Sequence, residues 1–363
     1  MKVVMWLMIL TAITLTGCGS GEEKKEVKTE LPIFSIAVSE YPSWSTFVVA
    51  KKSGLINGTA EGEPSALEKK WGVRLKLEIK DYDPCLTMYG SGVVDACCMT
   101  NIDALNPSLS RSTTVIMPTS TSVGGDKIIG VGLTQNNPSK EEIAAWLKGK
   151  KTYGLSKSVS EFVFHRGLQK MNLNPKEYEF INLEPAAAAT AIQSGSKDVQ
   201  SVCVWNPYAL QTLRQQKSTK VLFSSAIIPE EVIDCVVMGN DSLIKSGGHN
   251  AACLICDVFY EVSKKINDQK TSDVVLKSLG EEFSNLNVED MKIVCKETLF
   301  YGDPKSGIEL FNKKEFQTVT MPTVIKACQE IGVLDAVKVP PTFGFGDTSK
   351  QLNFDKQFME KIK

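Results

Sequence analysis

The chain has 363 residues, 42% of them apolar, with 41 Lys and Arg against 42 Asp and Glu and a formal net charge of −1. That apolar share suits a globular protein with a core of its own, and the length allows about two domains of ~150 residues. Charges of both signs are interspersed without a basic stripe, which removes the electrostatic footprint that nucleic-acid binding needs.

Met1 and Lys2 open the chain, Val3 to Leu15 form an almost unbroken apolar run, and Leu15-Thr16-Gly17-Cys18 follows. A short positive start with a short apolar run reads as a secretory signal over 1–17, because a spanning helix needs about 20 apolar residues. The small residues before Cys18 resemble a bacterial lipobox. That resemblance implies lipid on Cys18 and places the protein, lipid-anchored, on the periplasmic or extracytoplasmic face of a membrane. Residues 18–32 are polar, charged and closed by Pro32, a composition that reads as a flexible tether.

Strand-like runs follow at Phe34–Ser39, Leu75–Tyr82, Val93–Thr100, Thr113–Thr119 and Lys127–Gly132. A second series lies at Lys151–Leu155, Tyr178–Leu183, Val199–Trp205 and Val221–Ser224, then Val232–Gly239. Helical patterns lie between them at Ser43–Lys52, Ser158–Met171, Pro185–Ser194 and Tyr208–Gln216, and from Gly248 onward the pattern is mostly helical. Strands separated by helices predict an α/β protein with parallel pairing and right-handed crossovers.

Helix starts cluster just past the ends of these strands. Ser43 follows Tyr41-Pro42, Asp83 precedes Pro84, Asn206 precedes Pro207, Thr100 or Asn101 follows the third strand, and Ser158 with Glu161 forms a capping-box pattern. In open α/β sheets ligands bind at that edge, where helix N-termini offer free N–H groups. Each of these residues is equally able to serve as a plain cap.

Apart from Cys18 there are nine cysteines, an odd number, so at least one thiol is unpaired or pairs with another chain. Cys97 and Cys98 are adjacent in a predicted strand and should face opposite sides. Cys253 and Cys256 have C-x-x-C spacing inside an apolar helical run and read as buried small residues. The alternative, zinc or redox chemistry, lacks a second ligand pair, and the chain holds just two histidines, His165 and His249.

Four stretches carry a family resemblance: IAVSEYPSW (36–44), GSGVVDACCMTNIDAL (90–105), LSKSVSEFVFHRGL (155–168) and VCVWNPY (202–208). They resemble periplasmic solute-binding lipoproteins of ABC importers in the nitrate, sulfonate, taurine and thiamine-precursor group. The T-N-x-D-A and S-V-S segments are most similar to the branch found beside urea- or guanidine-carboxylating enzymes. The longer link Asn57–Lys70 and the nine cysteines depart from the family pattern. The resemblance implies a two-lobed binding protein of type II, each lobe a mixed, mainly parallel sheet flanked by helices. Lobe one is expected over 33–125 and 236–363 and lobe two over 126–235, with hinges near Lys127–Gly132 and Val232–Gly239.

A receptor of this kind needs a cleft, directed polar groups and a hinge rather than catalytic residues. The expected ligand contacts are Ser39, Tyr41, Trp44, Asp83, Thr100, Asn101 and Asp103 from lobe one. Ser156, Ser158, Ser160, Glu161, Trp205 and Asn206 are expected from lobe two, and Asp234 by the return crossing. Trp44 and Trp205 either touch ligand or pack. Carboxylates outnumber Lys157 among these positions, which favours a guanidine-, urea- or pyrimidine-like ligand; a sulfonate, taurine or nitrate receptor is the alternative. The expected partners are this small solute, an ABC permease and ATPase, and the membrane through Cys18, with no cofactor, no metal and a monomeric state. An enzyme resembling a pyrimidine-precursor synthase would need catalytic His and Cys in an intracellular chain, and no H-E-x-x-H, G-x-S-x-G or P-loop pattern appears. A lipid-anchored sensor would need the same receptor.

Overall fold

Ile33–Val38 (β1) is an apolar run whose last three residues are all buried, as suits a strand covered on both faces. It lies inside the larger of two sheets. That sheet also contains Arg74–Ile79 (β2), Ala96–Thr100 (β3) and the ten-residue Thr113–Ser122 (β4). The smaller sheet is built from Asp126–Val131 (β5), Lys151–Gly154 (β6), Glu179–Asn182 (β7), Ser201–Trp205 (β8) and Thr219–Ser224 (β9). Ile233–Gly239 (β10), Thr298–Phe300 (β11), Phe343–Phe345 (β12) and Leu352–Phe354 (β13) return to the first sheet. The orders are β12-β13-β4-β10-β3-β1-β2, with β11 on β4, and β7-β6-β8-β5-β9.

This is a computed structural model, and it describes residues 30–58, 62–282, 285–334 and 339–363. Leu31–Lys363 form one compact unit. The expected signal, Cys18 and nearly all of the tether lie outside the described residues. Among the described residues no helix is long and apolar enough to cross a membrane.

The strand series matches the expected order, and the sheets are mixed, as the family resemblance implies. β1 with β2 and β3, and β6 with β7 and β8, are parallel. The strands at which the chain changes sheet, β5 and β10, are antiparallel to both of their neighbours. The C-terminal part is mostly helical, as expected, and its short strands β11, β12 and β13 extend the first sheet. Each has three residues, too few for an alternation to register.

The changes of sheet occur just before the strands expected to carry them, at 123–125 and 225–232. Gly124 has φ +127°, a conformation that L side chains rarely adopt, which lets β4 turn directly into β5. The long link Asn57–Lys70 is anchored by Glu68, which is fully buried. Its carboxylate accepts from the backbone N–H of Asn57 at 2.9 Å, Ser65 at 2.7 Å and Leu75 at 3.1 Å, and it completes a capping box with Ser65.

Cys97 and Cys98 are both fully buried in β3, and none of the nine cysteines in the described residues is bridged. Cys253 and Cys256 lie buried in the helix Gly248–Asn267. Burial pushes the Cys253 thiol up to about 11 and raises Cys256 further, so both stay protonated and unreactive.

Candidate ligand-binding site between the two sheets

The strand ends of both sheets converge on one small cavity. From the first sheet come Tyr41 and Trp44, in the turn after β1, Tyr82, at the start of the helix Tyr82–Gly90, and Thr100, which closes β3. From the second come Asp126, which opens β5, Trp205, which closes β8, and Val159, the first residue of the helix Val159–Lys170. Asp234 on β10 completes the wall beside Thr100, its register partner. The cavity measures about 10 Å³, room for about one water-sized group.

Four aromatic rings form the apolar wall. Tyr41 lies 4.7 Å from Trp44, Trp44 stacks on Tyr82 at 5.4 Å, and Tyr82 meets Trp205 edge-on at 5.6 Å. Two buried carboxyls, Asp126 and Asp234, line the polar part, and a third, Asp103, stands behind it. Asp103 accepts from the Tyr82 hydroxyl at 2.6 Å and from the Thr100 hydroxyl at 2.8 Å, and its other oxygen, without a hydrogen bond, faces the Val159 N–H across the cleft. Asp126 accepts from Ser122 at 2.5 Å. Asp234 accepts from Ser120 at 2.6 Å, and Ser120 continues through Ser43 to Thr119.

Burial pushes Asp103 and Asp126 up to about 6, against the lowering effect of the hydroxyls that donate to them. Burial raises Asp234 well above its ordinary range, and the charge of Asp126 adds to this. Among the described residues no lysine or arginine lines the cavity. Lys127 turns away, donating to Gly124 O at 2.5 Å and to Glu297 at 2.6 Å.

Buried polar atoms without hydrogen bonds gather here. They include Tyr41 OH, Trp44 Nε1, Asp103 Oδ1, Ser160 Oγ, Trp205 Nε1 and Asn206 Oδ1. The Tyr41 hydroxyl stands close enough to Asp234 and Thr298 to feel both without making a hydrogen bond of normal geometry. An unpaired buried donor or acceptor costs about 1–3 kcal/mol, so such a cluster marks a place that a ligand or water completes.

Of the residues expected to touch ligand, Tyr41, Trp44, Thr100, Trp205 and Asp234 line the cavity. Asp103 stands behind Tyr82 and Thr100. Ser158 caps the helix Val159–Lys170 through Ser160 N, and Ser160 is buried beside Val159. Asn206 donates to Glu297 at 2.8 Å rather than capping a helix. Ser39 lines a second cavity on the other side of Tyr82 and Trp205.

Four more of the expected residues are engaged away from the central cavity. Asn101 is buried but pins the return strand, accepting from Ile233 N at 2.9 Å and donating to Glu231 O at 3.2 Å. Asp83 is exposed in the first turn of a helix whose cap position is Asp81. Ser156 is half-buried, with its N–H on Asn182. Glu161 accepts from Lys157 N at 2.6 Å, one residue off the expected capping box, and faces His165. Ser43 makes no cap hydrogen bond either; it belongs to the hydroxyl chain.

Tyr82, Asp126 and Glu297 were not expected. Tyr82 was read as the last residue of a strand that ends at Ile79. Asp126 follows Gly124-Gly125 directly, and a glycine pair between two strand runs was the available signal. Glu297 has no local signal, because its partners lie 170 and 91 residues away.

No protein-family model and no curated protein matches the sequence. Solved structures do. The alkanesulfonate-binding protein SsuA from Xanthomonas axonopodis pv. citri superposes with a TM-score of 0.63 at 15% identity, covering 84% of this chain and 95% of that one. The periplasmic nitrate-binding protein NrtA from Synechocystis PCC 6803 gives 0.55 at 14%, covering 86% and 90%. A Candida albicans protein described as having the generic periplasmic binding protein fold gives 0.58 at 11%, covering 85% and 92%. The fold is that of the periplasmic binding proteins, with two mixed sheets flanked by helices.

Proposed function

We propose that this chain is an extracytoplasmic solute receptor, lipid-anchored through Cys18, that captures a small nitrogen-containing cation and delivers it to an ABC permease and ATPase. The two sheets head two lobes, 33–125 with 236–363 and 126–235, which close on the ligand. The observation that carries this reading is the cavity wall: four aromatic rings, two buried carboxyls with a third behind Tyr82 and Thr100, and no lysine or arginine among the described residues. A cation over aromatic faces gains about 2 kcal/mol or more when desolvated, and a charged hydrogen bond about 1.5–3. A few of these reach the −8 kcal/mol of a micromolar complex.

One positive charge needs one carboxylate. Asp126, which lines the cavity and whose carboxyl burial pushes up to about 6, supplies that charge at neutral pH, while burial raises Asp234 well above its ordinary range. An amine, amidine or guanidine head fits this balance, and a sulfonate or nitrate opposes it. The donors Trp44 Nε1, Trp205 Nε1 and Val159 N–H favour an anion, but only after the carboxyls take up protons. Bound solute is transported rather than transformed.

Calorimetry at pH 7.5 with amines, guanidines, urea, pyrimidines, sulfonates and nitrate tests the reading. Binding confined to nitrogenous cations supports it. Sulfonate or nitrate binding without any response to amines or guanidines overturns it.

A further inference from the structure

The central cavity has a neighbour. A second cavity of about 70 Å³ lies on the far side of Tyr82 and Trp205, which wall both. Ser39, Glu40 and Asp81 bound it from the first sheet's side, and Glu184, Pro185 and Tyr208 from the second's. Three of these six carry carboxylates. The Tyr208 hydroxyl donates to Glu40 at 3.0 Å across the two sides. Asp83 stands near enough for its charge to act on Glu184. No lysine or arginine lines this cavity among the described residues; Lys80 lines the adjoining groove instead.

Acidic residues alone would be a solvated rim. A second observation sets this cavity apart. Ser39 is 4% exposed and its Oγ, able to accept from a cationic nitrogen, has no partner. Ser39 lines the cavity. The partition between the cavities is one ring from each sheet, Tyr82 and Trp205, in edge-on contact. Parting the sheets therefore opens a passage with aromatic walls, which suits a short apolar chain.

Resting on the receptor reading above, we infer that the ligand is an elongated dication. One cationic nitrogen sits in the aromatic cage with Asp126. A short alkyl chain runs past Tyr82 and Trp205, and a second cationic nitrogen lies among Glu40, Asp81 and Glu184. The cage has room for about one water-sized group, which matches an ammonium head better than a ring.

The test is calorimetry on the purified protein at pH 7.5 with straight-chain diamines of about three to six carbons, each against the monoamine of equal length. The same pairs are run on the double variant Asp81→Asn with Glu184→Gln. The expected result is at least one diamine binding tenfold or more tighter than its monoamine, with that advantage lost in the variant. Monoamines binding as tightly as diamines overturn the second subsite and leave the cage reading standing. A diamine advantage that survives in the variant, or equal loss for both ligand types, also overturns it, since the carboxylates then act only as a general field. Binding of neither type overturns the dication, and the cage reading falls as well if guanidines also fail.

Discussion

Lys127 on β5 and Glu297, the residue before β11, form an ion pair at 2.6 Å that ties the second sheet to the first. The Lys127 side chain is 9% exposed and that of Glu297 28%, and Asn206 donates to the same carboxylate oxygen. The link lies beside the Gly124-Gly125 crossing, where Val123 N also donates to the Glu297 carbonyl at 2.9 Å. Glu297→Ala should leave the buried ammonium without its charge partner and lower stability by about 2–3 kcal/mol, at the lower edge of a buried-pair loss because Glu297 is partly hydrated. Urea unfolding measures this, and a loss below about 0.5 kcal/mol would refute the role of the link.

Trp205 offers the site a ring and an N–H. Trp205→Phe keeps an aromatic face and should hold cation affinity within a few-fold, whereas Trp205→Leu should lose about tenfold or more. Calorimetry separates the two, and equal losses would mean that the N–H rather than the ring engages the ligand.

Asp126 gives a pH test with a definite sign. Its carboxyl titrates at about 6 in the folded protein against an ordinary 3.8, so between these values the folded state holds the extra proton. Stability of the unliganded protein from this group is therefore full below about 4, falls as pH rises towards 6 and is flat above, for a total of about 3 kcal/mol. Asp126→Asn should remove that fall, gaining stability over the native protein at pH 8 relative to pH 4. Cation affinity should change in the opposite direction, dropping as pH falls through about 6. Melting curves and calorimetry at pH 5 and pH 8 read both, and parallel trends would contradict the assignment.

Glu68 is the anchor of the long link after the first helix. Glu68→Ala strands two buried backbone N–H groups and the half-buried one of Asn57, at about 1–3 kcal/mol per buried group before relaxation, and should cost about 3 kcal/mol. Glu68→Gln retains an acceptor oxygen and should cost less. Denaturant midpoints of the two variants decide it.

The thiols should be silent in the native state. Eight of the nine are buried, and burial pushes the half-buried Cys295 up to about 12. A thiol reagent at pH 8 should therefore react slowly with folded protein and quickly with all nine after unfolding. Fewer than nine in unfolded, unreduced protein would reveal a bridge.

The sequence alone determined what depends on neighbours along the chain. The apolar runs that became β1 to β10 stand out because their residues and the turns between them are local properties. Tyr41, Trp44, Thr100, Trp205 and Asp234, which line the cavity, were legible as a group because strand ends and helix starts gather at one sheet edge. Tertiary structure decided whatever depends on which strands lie side by side. Asp126 enters the cavity because β5 pairs antiparallel with β8 and sets it opposite Trp205. Tyr82 turns inward because its hydroxyl finds Asp103, 21 residues on. Glu297 joins the sheets only once β11 adds to β4, and β11 to β13 are too short to form strands without the pairing that β4 supplies to β11 and β13, and β13 to β12. The charge character of the cavity follows the same division: the aspartates are written in the sequence, but their raised titration comes from the burial that packing two sheets together creates.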